Sequence, residues 1–330
     1  MAAASVSSEK VDLLLCGPAK PIIANGFSDH FVLHKLETET DLGRLTPAER
    51  EKIRGMAVTY HTVRADRQLL SHFPKLEIIA SFGVGYDHVD LAYARGYKIV
   101  VTNTPDVLTE EVADVAMGLL IATLREFIKA DRYARFGLWQ TQEYPLSVGS
   151  LRDRKVGLVG MGRIGQAIAR RLDASLVPVV YHSRNPAVGV SHQHYPDLIE
   201  MAKAADTLVV IVPGGAGTAK IINAEVLEAL GPRGVLINVA RGSVVDEPAL
   251  VQALKSGTIL AAGLDVFANE PNVPDELKTM HNVVLLPHIG SASVVTRNAM
   301  DQLVVDNLKA WFAGKAPLTP VPETPVEGRG

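Results

Sequence analysis

The sequence predicts an α/β protein built from two doubly wound, Rossmann-like parallel-sheet domains, and three observations carry that prediction. Short β-rich apolar runs alternate with helical patterns from one end of the chain to the other. Most of these runs are near-continuous rather than alternating, as expected of parallel strands covered on both faces. One of them, KVGLVG, leads straight into a glycine-rich turn and then into the helical segment RIGQAIARRL. A chain of 330 residues also suits two domains of about 100 to 200 residues each.

In chain order, the strand candidates VDLLLCG, MAVTYH, LEIIASFG and KIVVTNTP fill the first third. KVGLVGMG, PVVYHS, TLVVIVP, GVLINVA, ILAAGLDVF and NVVLLPH follow. Between them, Thr46-Pro47-Ala48-Glu49 has capping-box spacing with proline at the first helical position. Thr109, followed by Glu110 and Glu111, opens an apolar-periodic helix that is expected to run to about Phe136. The segment ASVVTRNAMDQLVVDNLKAWFAG repeats apolar residues at helical spacing, and the proline-rich PLTPVPETPVEGRG after it is expected to be loosely ordered.

Composition narrows the partners. Hydrophobic residues make up 47% and charged residues 21%, and no apolar run approaches the roughly 18 residues of a membrane span. The N-terminal MAAASVSSEK has no basic segment ahead of a long apolar one, so no secretory signal is expected. Cys16 is the only cysteine and cannot form an internal disulfide, which suits a reducing cytoplasm. The formal charge is −3 with no Lys/Arg cluster, so neither nucleic acid nor membrane is expected, and a small molecule is the expected partner. No metal-ligand set is assigned.

Gly160, Gly162 and Gly165 form G-x-G-x-x-G between a strand and a helix. The first glycine permits the tight turn, the second lets backbone approach a pyrophosphate, and the third allows close helix-to-strand packing. The N–H groups around Arg163 and Ile164 at the helix start would serve the phosphates. An acid at the end of the following strand would bond a ribose 2′-hydroxyl, but the chain reads Tyr181-His182-Ser183-Arg184-Asn185 there. Arg184 can pair with a 2′-phosphate and Ser183 can donate a further hydrogen bond, so NADPH is the expected cofactor. If Arg184 is merely solvated, NADH is accepted as well.

Three later segments, VLINVARGSVVDE, GLDVFANEPNVP and NVVLLPHIGSAS, fall at or beyond the ends of predicted strands, where open α/β sheets bind ligands. With the glycine turn and SFGVGYDHVD they make the chain resemble the D-isomer-specific 2-hydroxyacid dehydrogenase family from about residue 11 to about residue 321. Within that family the likeness is to glyoxylate/hydroxypyruvate reductases and hydroxyphenylpyruvate reductases.

The resemblance implies a catalytic triad of Arg241, Glu270 and His288. A guanidinium can hold a 2-oxo acid carboxylate and polarise its ketone, while an imidazolium paired with a carboxylate can protonate the oxygen. It also implies substrate contacts from the N–H groups of Val84 and Gly85 and from Ser291. Cofactor contacts are implied for Pro213, Thr218, Val239, Ala240, Asp265 and Gly290, although a buried Asp265 could equally organise its loop. Pro213-Gly214-Gly215-Ala216-Gly217-Thr218 is richer in glycine than the corresponding family loop. Trp139 stands where some relatives place an aromatic over a neighbouring subunit's active site.

By the same resemblance, residues 1–103 with 292–330 form a discontinuous, flavodoxin-like substrate domain and residues 104–291 the NAD(P) domain, with the active site in the cleft between them. The helix after Thr109 would carry a homodimer contact. The expected reaction is NADPH-dependent reduction of glyoxylate or hydroxypyruvate to a 2-hydroxy acid, of D configuration where the carbon becomes chiral. The alternatives are a bulkier 2-oxo acid of aryl pyruvate or 2-ketogluconate type and, from another class, a nucleotide-sensing interaction protein.

Overall fold

Two parallel sheets organise the chain in the computed structural model, which describes residues 10–18, 20–59, 63–147, 149–324 and 326. Residues 1–9, on which most of the secretory-signal expectation rests, and Tyr60-His61 of MAVTYH lie outside them. The chain divides into two compact units, Met1–Leu108 with Val294–Gly330, and Thr109–Ser293. No helix among the described residues is long and apolar enough to cross a membrane.

The first unit contains β1 (Val11–Cys16), α1 (Pro21–Ser28), β2 (Phe31–Leu36), α2 (Pro47–Arg50), β3 (Ile53–Val58), α3 (Arg67–Leu70), β4 (Ile78–Ser81), α4 (Leu91–Gly96) and β5 (Val100–Thr102). It is completed by the C-terminal helix Val294–Phe312. The strand order β2-β1-β3-β4-β5 is that of flavodoxin-like doubly wound sheets. Leu14, Met56, Ile79 and Val101, one from each of four strands, lie fully buried in its core. At α2 the expected capping box forms, with the Thr46 N–H donating to Glu49 Oε2 at 2.7 Å and the Glu49 N–H to Thr46 Oγ1 at 3.3 Å.

The second unit runs α5 (Thr109–Leu124), α6 (Phe127–Arg135), β6 (Val156–Val159), α7 (Arg163–Ala174), β7 (Val179–His182), β8 (Gln193–Tyr195), α8 (Leu198–Ala204) and β9 (Thr207–Val210). It continues through α9 (Ala224–Leu230), β10 (Val235–Asn238), α10 (Glu247–Ser256), β11 (Ala261–Leu264), α11 (Asp275–Thr279) and β12 (Val283–Leu285). The sheet order is β12-β11-β10-β9-β6-β7-β8, all parallel. Counted from β6, this is the 3-2-1-4-5-6 order of dinucleotide-binding sheets with one further strand. The order reverses between β6 and β9, and side-chain caps from Asp197 and Asn223 start α8 and α9 on either side of β9.

Three expectations are corrected. The helix opened by Thr109 does not run to Phe136, because Glu126 takes a left-handed conformation (φ 52°) and separates α5 from α6. α5 buries Val112, Ala116, Leu119 and Leu120, whereas α6 buries nothing, so the apolar periodicity spans two helices with different surroundings. The strands β2 and β8 were not expected, and both are sheet edges with polar residues interleaved.

The described part of the proline-rich tail is also not loose. Pro320 bridges Thr102 in antiparallel fashion, the Val321 N–H donates to the Val101 carbonyl at 2.9 Å, and the Val101 N–H donates to Thr324 Oγ1 at 2.9 Å. Val321 is 2% exposed, so an apolar anchor and main-chain pairing together hold the segment on the β5 edge. Truncation after Pro317 is expected to lower the unfolding free energy by roughly 2 to 4 kcal/mol, from one buried valine and several hydrogen bonds. Urea titration measures this, and an unchanged midpoint would mean that the tail only rests on the sheet.

Candidate active site

The sequence-predicted residues of the second unit collect along one edge of its sheet, at the carboxyl ends of successive strands. The glycine turn follows β6, Ser183-Arg184 follows β7, Pro213 to Thr218 follows β9, and Val239 to Arg241 follows β10. Asp265 and Glu270 follow β11, and His288 to Ser291 follow β12.

At the turn, Gly160 has φ 111°, and a Cβ there would stand 3.0 Å from the Ile211 carbonyl oxygen. A Cβ on Gly165 would overlap the Gly160 carbonyl, so α7 can start this close to β6 only with glycine. Gly162 is the N-cap of α7, and a Cβ there would meet no protein atom within 4 Å. The turn is therefore an open cradle at a helix N-terminus of the kind that accepts a pyrophosphate.

Beyond β7, Arg184 is exposed and makes no hydrogen bond or ion pair with the described residues. The Ser183 hydroxyl donates to the Asn185 carbonyl at 2.6 Å. After β9, Thr218 Oγ1 donates to the Pro213 carbonyl at 2.6 Å and Gly215 takes φ 125°. The glycine-rich loop is thus closed on itself.

The triad is assembled by residues the sequence reading did not single out. Buried Asn238 ends β10; its Nδ2 donates to the Arg241 carbonyl at 2.9 Å, and its Oδ1 accepts the Ala240 N–H at 3.0 Å. Arg241 Nη1 donates to the Ala240 carbonyl at 2.8 Å. A Cβ on Gly242 would collide with the Phe267–Ala268 peptide, so the arginine turn lies directly against the loop that carries Glu270. That loop is braced by the Ala268 N–H donating to Glu247 Oε1 at 2.8 Å. An asparagine closing an otherwise apolar strand was the visible signal for Asn238.

Glu270 divides its carboxylate. Oε1 accepts the Phe267 N–H at 3.1 Å and Oε2 accepts from His288 Nδ1 at 2.8 Å. This fixes the Nδ1–H tautomer and makes Nε2 the atom for proton exchange. The two side chains are 28% and 31% exposed, which leaves the pair within reach of a ligand.

His288 itself takes φ 54°. Asp265 holds it there: the His288 N–H donates to the Asp265 carbonyl at 2.8 Å, and the N–H groups of Ile289 and Gly290 donate to its two carboxylate oxygens at 2.7 and 2.8 Å. Asp265 is 1% exposed, and burial raises its pKa more than these hydrogen bonds lower it. Its carboxylate is therefore the clamp of the histidine loop. Ser291 is half-buried with no partner among the described residues, and the neighbouring Ser293 gives both its N–H and its hydroxyl to Glu111.

Val84 and Gly85 belong to the first unit, in the loop after β4. Gly83 (φ 126°) shapes that loop with the Thr104 hydroxyl, and the N–H groups of Val84 and Gly85 donate to no described residue. Trp139 follows α6 and is 70% exposed.

Residues 117–290 match the model of the D-isomer specific 2-hydroxyacid dehydrogenase NAD binding domain. The chain is 45% identical over 313 residues to glyoxylate/hydroxypyruvate reductase A of Arabidopsis thaliana, an alignment covering 95% of this chain and 99% of the relative. It is 44% identical to hydroxyphenylpyruvate reductase of Plectranthus scutellarioides over the same shares of the two chains. Among solved structures, NADPH-dependent glyoxylate/hydroxypyruvate reductase from Sinorhizobium meliloti, in complex with NADP and malonate, superposes with a TM-score of 0.92. Its sequence is 54% identical, and the match covers 98% of this chain and 100% of that one.

Asp265→Asn exchanges one acceptor oxygen for an NH2 group and leaves the Ile289 or Gly290 N–H unsatisfied. The unfolding free energy is expected to fall by about 1 to 3 kcal/mol in a urea titration. A gain would show that the cost of burying the charge outweighs the hydrogen bonds it accepts.

Proposed function

The chain belongs to the D-isomer specific 2-hydroxyacid dehydrogenase family, and on that premise we propose that it uses NADPH to reduce glyoxylate or hydroxypyruvate to the 2-hydroxy acid. The observation that carries the reading is the union, on one sheet edge, of an open glycine cradle, an exposed Arg184 with no partner among the described residues, and the Glu270–His288 pair beside Arg241. The family and the relatives' activities set aside the nucleotide-sensing alternative.

The residues fit the cofactor. The cradle leaves space at Gly162, α7 offers N–H donors through Arg163 and Ile164, and no carboxylate stands at the end of β7 to repel a 2′-phosphate. We assign the pyrophosphate to Gly160–Gly165, the 2′-phosphate to Arg184, and the nicotinamide side to Pro213, Thr218, Val239, Ala240 and Gly290. Bound NADPH supplies the hydride. Arg241 holds the substrate carboxylate and polarises the ketone, and His288 gives the proton from Nε2 while Glu270 holds Nδ1. The N–H groups of Val84 and Gly85 are assigned to the substrate carboxylate and the Ser291 hydroxyl to the substrate. Asp265 acts through the histidine loop rather than on the cofactor.

The near-equal identity to hydroxyphenylpyruvate reductase supports a second reading, an aryl pyruvate as substrate. We further infer a cytoplasmic homodimer. Phe127, Ile128, Phe136, Leu138 and Trp139 are exposed on α6 and after it, and Leu146 is 94% exposed; apolar residues gathered in this way mark interfaces. The buried lone Cys16 suits a reducing compartment.

Initial rates with glyoxylate, hydroxypyruvate and hydroxyphenylpyruvate, titrating NADPH and NADH separately, test the reading. The expected result is a clear NADPH preference that collapses in Arg184→Ala. His288→Asn is expected to lower kcat by roughly 10²- to 10⁴-fold. Equal use of both nucleotides would discard the assignment of Arg184, and turnover of the aryl substrate alone would select the second reading. Light scattering at micromolar concentration should give twice the mass of the chain, and a single-chain mass would overturn the dimer.

A further inference from the structure

The turn that presents Arg184 is held from the neighbouring strand. His194, in the middle of β8, donates from Nε2 to the Ser183 carbonyl at 2.9 Å. Its ring leans on that of Tyr181, with centroids 5.1 Å apart and planes tilted by 45°. Tyr181 is 2% exposed, and its hydroxyl accepts the Ala187 N–H at 3.0 Å, which closes the far end of the segment. His182 Nδ1 donates across to the Tyr195 carbonyl at 2.9 Å and fastens the two strand ends together. Backbone is thus pinned before and after Arg184, while the arginine side chain is exposed and makes no hydrogen bond or ion pair with the described residues.

Of the β8 residues, Tyr195 packs against the hydrophobic core, and His194 is half-buried. β8 is a three-residue edge strand, and its residues Gln193, His194 and Tyr195 are exposed or half-buried. What the strand contributes is a fixed position for the Ser183–Arg184 backbone. A guanidinium on a wandering loop loses affinity to the ordering that binding demands, whereas one on a pinned loop does not. We propose that His194 is a positioning residue for cofactor choice, holding the Ser183–Arg184 turn so that Arg184 meets a phosphate on the ribose 2′ position. The proposal rests on the NADPH reading above. It places selectivity partly on a side chain that touches no cofactor.

The test uses adenosine 2′,5′-bisphosphate and 5′-AMP, which differ only in the 2′-phosphate, titrated calorimetrically into wild type, Arg184→Ala, His194→Ala and His194→Gln. The NADPH reading requires that wild type prefer the bisphosphate and that Arg184→Ala lose that preference; if it does not, the reading itself fails, whatever the His194 variants do. With that preference in hand, His194→Ala is expected to weaken the bisphosphate roughly tenfold and to leave 5′-AMP within about twofold. His194→Gln, which can restore a donor at similar reach, is expected to recover most of the loss. Retained 5′-AMP binding reports that each variant is folded. If His194→Ala weakens both ligands alike, or neither, or if Gln behaves as Ala does, the positioning role is overturned.

Discussion

A buried aspartate beneath three consecutive amides is the interaction on which the rest of the site depends. Asp265 accepts the His288 N–H on its carbonyl and those of Ile289 and Gly290 on its side chain. Successive N–H groups converging in this way form an anion-binding nest, and here the anion belongs to the chain itself. Without it, nothing among these contacts would hold a non-glycine residue at φ 54°, and His288 could not be presented to Glu270. Burial pushes the Asp265 carboxyl up, so the clamp is maintained against a desolvation cost that the backbone donors offset only in part.

Asn238 extends the same constraint sideways. Its carbonyl accepts the Asp265 N–H at 3.0 Å while its side chain shapes the Arg241 turn. One asparagine thereby ties the arginine of β10 to the aspartate of β11, and through it to the histidine after β12. The three side chains proposed to be catalytic, from three strand ends, are fixed relative to one another by backbone-directed bonds, which are shorter-ranged and stiffer than contacts between the long side chains themselves.

Much of this was legible in the sequence because buried parallel strands are apolar throughout and a dinucleotide turn needs glycine at fixed spacing. KVGLVG, TLVVIVP and GVLINVA read as strands for that reason, and each is one. Of the four edge strands, β5 and β12 were read and β2 and β8 were hidden, because an edge has fewer neighbours to exclude water and FVLHKL and QHY keep polar residues that blur the pattern. The break at Glu126 was illegible because neither glycine nor proline marks it. For Asp265 the family resemblance implied a cofactor contact and the sequence left a loop-organising role equally open, because a sequence shows that an acid is present, not that both of its oxygens face backbone amides. His194 escaped notice because its partner is a carbonyl, and carbonyls are invisible to motif reasoning.

The stitched tail also has a temporal meaning. The first unit is assembled from residues on both sides of the second, and among the described residues its β5 edge is covered by Thr319 to Thr324. As the chain leaves the ribosome, Thr109–Ser293 is available as a continuous piece, whereas the unit begun before it waits for the segment from Val294 onward to emerge. Until then the outer edge of β5, Val100 to Thr102, stands open, a template for pairing with another nascent chain. The proline-rich segment after the last helix therefore ends a period of exposure during synthesis, as well as contributing to the stability of the folded unit.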